Sequence, residues 1–87
     1  MTEEQLRNVL ASLPFAIDGL AVHSDGRRLI GVVVSTEFEG MDEAERQRIV
    51  WHHLHQVFDV QQLTRIEFVF TNTPQEDADL ANAMGAP

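Results

Sequence analysis

No cysteine occurs among the 87 residues. That absence excludes a disulfide framework, a thiolate metal site and a cysteine nucleophile, so any metal chemistry falls to the four histidines. Lysine is missing as well. The six positive residues are all arginine, they stand against 14 acidic ones, and the formal net charge is −8 with a pI near 4.7. So little positive charge disfavours sequence-independent nucleic-acid binding and attachment to anionic membranes, both of which draw on basic side chains. Long apolar runs are absent too: the longest, Leu29 to Val34, is broken by Gly31 and falls far short of a membrane span. The amino terminus, Met1-Thr2-Glu3-Glu4-Gln5, has neither the basic nor the apolar segment of a secretory signal, which makes the cytoplasm the expected compartment.

What is present is enough apolar material, 44% of residues, for one small soluble domain over residues 1–87 with a thin core. Thr2 and Gln5 make a capping box, and Leu6, Val9, Leu10 and Leu13 recur at helical spacing until Pro14 stops the pattern. From Phe15 to Val22 apolar residues alternate with small ones, Ser24-Asp25-Gly26 supplies a turn, and Leu29 to Val34 is a β-branched run, which together predict a β-hairpin. The second strand does not alternate, so it reads as buried on both faces or central in its sheet.

Asp42 with Glu45 opens a second helix, expected to reach Phe58, with Ile49, Val50, His53, Leu54, Val57 and Phe58 on one stripe. Ile66, Phe68 and Phe70 then alternate with more polar neighbours, predicting a third strand with those three on its covered face. Thr73-Pro74-Gln75-Glu76 starts a short acidic helix running to about Met84, with Gly85-Ala86-Pro87 expected to fray. The order is α-β-β-α-β-α, and the fold class is α+β. A helix between the second and third strands suits a right-handed parallel crossover, giving a mixed three-stranded sheet with helices packed on one face.

The chemistry-bearing residues are few. His52-x-x-His55 sets two imidazoles one helical turn apart, a spacing that can contribute to a metal site, but no third ligand follows at fixed spacing, and solvated histidines are the expectation. His53 and Trp51 read as packed against the helix's apolar stripe, with a partner contact as the alternative for Trp51. His23-Ser24-Asp25 has triad residue types, yet neighbours on a tight turn cannot point at one another as nucleophile, base and orienter. Glu37 and Glu39, two residues apart around Phe38, could be read as paired carboxylates but are expected to be solvated. No glycine-rich phosphate loop and no G-x-x-G occurs. The arginines offer the most: Arg46 and Arg48 on the second helix either pair with Asp42, Glu43 or Glu45, or join Arg65, Arg27 and Arg28 in a basic patch.

Between Asp25 and Pro74 the sequence resembles the BolA-like family, small α+β proteins related in architecture to class II KH domains. The resemblance rests on Val32-Val33-Val34, Phe38-x-Gly40, Arg46-x-Arg48 with Val50, and Thr73-Pro74, in that order. Phe38-Glu39-Gly40-Met41 and Gln47 are most similar to the acid-stress branch of the family. The resemblance implies a non-catalytic adaptor or regulator, a monomer or weak dimer, that binds a monothiol glutaredoxin in iron-sulfur or stress physiology. Its implied partner face carries Arg46, Gln47, Arg48, Arg65, His23 and Trp51. It also implies a [2Fe-2S] cluster shared with the glutaredoxin, through a histidine before the last strand and a histidine or cysteine in the hairpin loop. Here the first position is Arg65, whose guanidinium has no free lone pair, and most of the family's helix histidine is Gln47. His23 is the nearest candidate ligand in the hairpin, and the isolated chain is expected to bind no cofactor. A nucleic-acid-binding transcriptional regulator built on the KH-like sheet is the alternative reading.

Overall fold

The computed structural model describes residues 1–85. Helix α1 (Glu3–Ala11) starts at the expected capping box, where the Thr2 hydroxyl accepts from the Gln5 amide and the Gln5 side chain accepts from the Thr2 amide. Leu6 and Leu10 are fully buried on its inner side. Phe15 does not begin a strand. It packs edge-to-face on Phe38 with ring centroids 5.5 Å apart, and strand β1 (Gly19–Asp25) starts four residues later. β1 pairs antiparallel with β2 (Arg28–Val34). The Asp25–Arg28 pair closes a two-residue turn in which Gly26 takes φ 65° and Arg27 keeps a negative φ, the demand of a type II′ hairpin turn.

After a 3-10 turn over Thr36–Phe38 and Gly40 at φ 81°, helix α2 (Glu43–Val57) runs from the Asp42 cap to Phe58 at its C-cap, matching the expected limits. A third, unexpected helix α3 (Val60–Leu63) follows, opened by its own Asp59–Gln62 capping box. One turn of helix offers no 3.6-residue period to read, and only its cap residues mark it. Strand β3 (Ile66–Asn72) then joins β2 in parallel, giving the order β1-β2-β3 with β2 central. Helix α4 (Pro74–Gly85) has Pro74 as its first residue and reciprocal capping between Thr73 and Glu76. Its last residue is Gly85; Ala86 and Pro87, the rest of the segment expected to fray, lie outside the described residues.

The sheet's inner face carries Leu29, Val33, Ile66 and Val69 against Leu6 and Leu10 of α1 and Val50 and Leu54 of α2. At Gly31 a Cβ would sit 3.0 Å from Leu10 Cδ1, so the missing side chain lets α1 approach the central strand. The register of β3 corrects the sequence reading. Leu29 pairs with Ile66 but Ile30 pairs with Phe68, so Glu67 is an extra residue and the strand bulges there. Beyond the bulge the alternation reverses: Val69 and Thr71 point into the core, while Phe68 and Phe70 face outward, 42% and 47% exposed. α1 and α2 thus cover one face, and α4 borders the opposite one, where Leu80 and Ala81 stand beside Val32 and Phe70.

Candidate functional site

Arg46 sits one turn into α2 and is only 7% exposed. Its guanidinium donates to the Met41 carbonyl from Nε at 3.1 Å, and from one terminal nitrogen to the Thr71 carbonyl at 3.2 Å and Glu76 Oε1 at 2.6 Å. Its carbon lies 5.8 Å from the Phe38 ring centroid. One side chain therefore ties the α2 start, the β3 end and the α4 cap together. The hydrogen bond from Arg46, reinforced by the one from the Thr73 amide, holds the Glu76 carboxyl below the ordinary glutamate range.

Gln47, the next residue, is the centre of a second network. Its amide nitrogen donates to the Val69 carbonyl at 2.8 Å, to Glu43 Oε1 at 3.1 Å and to Thr71 Oγ1 at 3.3 Å, while its oxygen accepts from Trp51 Nε1 at 3.0 Å. Thr71 Oγ1 in turn donates to Glu43. Val69 and Thr71 have the same parity on β3, so Arg46 and Gln47 occupy successive outward carbonyls of that edge strand. An edge with its acceptors taken cannot add another strand at that point. Trp51 is half-buried, its indole N–H satisfied within its own helix.

The remaining candidates are exposed. Arg48 pairs with Glu45 at 2.7 Å, the local ion pair expected along this helix. Arg65 donates from Nε to the Arg27 carbonyl at 2.8 Å and so lies against the hairpin turn, next to exposed Arg27 and Arg28. His23 belongs to the outer sheet face, in register with Ile30, which pairs with Phe68. The six candidates therefore divide. Arg46, Gln47 and Trp51 are engaged at the α2–β3 seam, Arg48 is on the exposed side of α2, and Arg65 and His23 are on the hairpin side of the sheet. His53 is a packed histidine, its Nε2 within 3.0 Å of both Ser12 Oγ and the Val9 carbonyl. His52 and His55 are solvent-exposed, His52 with Gln56 at 3.3 Å.

The donor set does not fit an iron-sulfur cluster. Arg65 donates from Nε to a carbonyl and has no lone pair for iron, and among the described residues no three His, Asp or Glu side chains gather in a metal-binding group. Among the described residues no helix is long and apolar enough to cross a membrane. Sequence reasoning missed two features of the site. Glu76 was readable as a cap but not as the partner of Arg46, thirty positions away, and the outward Phe68 and Phe70 were hidden by the bulge.

The architecture defines a class: a small mixed α+β fold with a β-β-α-β centre framed by two helices. No family model matches the sequence, and no curated protein matches it significantly. Solved structures do match. BolA1 from Arabidopsis thaliana superposes with a TM-score of 0.60 at 25% identity, covering 85% of this chain and 93% of its own. Yeast Fra2 gives 0.69 at 21% identity over 100% and 95%, and a bol-like protein from Babesia bovis gives 0.58 at 22% over 92% and 94%. The fold is that of BolA proteins.

Proposed function

We propose that this chain is a BolA-family adaptor, of the acid-stress type, that binds a monothiol glutaredoxin in the cytoplasm and turns over no substrate. The observation that carries the reading is the BolA fold across nearly the whole chain, together with the family spacing of Phe38-x-Gly40 and Arg46-x-Arg48 on the predicted elements. Exposed Arg65, His23 and Arg48 supply the contact groups. Arg46, Gln47 and Trp51 act from behind, by fixing α2 against β3. The chemistry is recognition, since His23, Ser24 and Asp25 follow one another along β1 and the Ser24 hydroxyl donates to the Glu3 carboxylate, not to the His23 ring. Retention of the cognate glutaredoxin, apo or cluster-loaded, on the immobilised protein is the expected result; no retention of either form removes the reading.

One observation favours a second reading. Arg27, Arg28 and Arg65 gather at the hairpin end, a local positive site on a negative molecule. If that end meets DNA or RNA, affinity falls steeply with salt and Arg27→Ala weakens it; flat titrations at low salt discard this alternative.

A further inference from the structure

The outer sheet face leaves large apolar side chains uncovered. Phe68 and Phe70 lie side by side along it with ring centroids 4.7 Å apart and planes tilted by 55°, and Leu80 of α4 stands over it 49% exposed. Between α4 and the sheet lies a groove of about 510 Å³ lined by His23, Val32, Phe70, Asp77, Leu80 and Ala81. That size accepts a few side chains of a partner. The groove's charge has one sign: α4 bears Glu76, Asp77 and Asp79 and no basic residue. Glu76 is committed to Arg46, whereas Asp77 lines the groove itself.

We infer that this groove docks an amphipathic helix of a partner protein, one with an apolar face flanked by Lys or Arg. A sheet face presents side chains and no free backbone groups, so an extended segment laid there would leave its own N–H and C=O groups unsatisfied, whereas a helix satisfies them internally. Asp77, the carboxylate on the groove's lining, selects a basic flank. A second copy would set −8 against −8 and bring the α4 carboxylates against each other. A nucleic acid could stack on the two phenylalanines, but its phosphates would meet Asp77. The hairpin-end arginines do not line this groove, and His23 is the one residue it shares with the proposed glutaredoxin contact, so the peptide is titrated into the chain alone.

The probe is a synthetic amphipathic helical peptide with leucine at i, i+3, i+4 and i+7 and lysine elsewhere, titrated into the full chain. Amide NMR shifts and fluorescence anisotropy are the readouts. Shifts are expected at Val32, Phe68, Phe70 and Leu80, with Phe70→Ser weakening binding about tenfold or more. Asp77→Asn should weaken it several-fold at low salt only. Both positions are exposed, and circular dichroism confirms that each variant is folded. The inference is overturned if the shifts map elsewhere, if Phe70→Ser binds as well as wild type, or if a glutamate-for-lysine peptide binds equally. It is also overturned if a thymidine oligonucleotide occupies the same face, or if that face shows concentration-dependent self-association.

Discussion

Arg46 shows how little a residue's type says about where its charge is used. Read along the helix it has three acidic neighbours, and Arg48 does take one of them, Glu45. Arg46 instead turns inward, because its position in α2 aims it at the carbonyl-bearing edge of β3, and only the fold brings Glu76 there. Removing it leaves the Thr71 carbonyl unpaired in a buried setting and Glu76 without its counter-charge. Arg46→Ala is therefore expected to destabilise the domain by about 1.5–3 kcal/mol, read from urea denaturation. Arg46→Lys should recover only part of this, since an ammonium cannot reach three acceptors in the guanidinium's fork. Gln47 is the counter-example in chemistry but not in kind. It carries no charge, yet it is satisfied at both ends of its amide and closes the same seam.

At the scale of elements, the start and stop signals of α1, α2 and α4 were legible because capping acts within four residues, the range over which sequence neighbours are spatial neighbours. The bulge was not. Glu67 has nothing in its type that marks an extra residue, and the run Ile66, Phe68, Phe70 reads as an uninterrupted strand; the decision lies in the pairing with Leu29 and Ile30, far away in sequence. The same dependence on a distant partner appears at Gly31, which looks like a flaw in a β-branched run and is where α1 seats on the sheet. Gly31→Val would drive new carbons into Leu10 and Val69, and a loss of about 1–3 kcal/mol is expected in the same denaturation assay. For α4 the tie is ionic. Glu76 has its pKa lowered in the folded chain, so the stability it contributes is complete above its unfolded titration, near pH 4.5, and is lost as pH falls through the lower folded value. Acid titration followed by NMR should show α4 amides shifting in that window before the sheet does. Glu76→Gln should abolish the early phase.

For the molecule as a whole, the BolA arrangement was legible in the element order, but the distribution of charge was not, because it depends on which arginines remain outside. Arg46 is spent internally and Arg48 locally, and Arg7 stands on α1, which leaves Arg27, Arg28 and Arg65 at the hairpin end and the carboxylates of α4 beside the open sheet face. The molecule thus separates a basic end from an acidic groove. That separation bears directly on iron. A glutaredoxin drawn to the hairpin end would meet guanidinium where a cluster would need an imidazole, and His23 alone would be left to offer a lone pair. Binding and ligation are then separable: mixing the protein with a cluster-loaded glutaredoxin should give a complex by size-exclusion chromatography with no change in the cluster's visible circular dichroism. A histidine-ligated spectrum from the wild-type mixture would overturn this, and its loss on His23→Ala would identify the ligand. Failure to form the complex at all would instead count against the adaptor reading itself, so the two claims fail in different measurements.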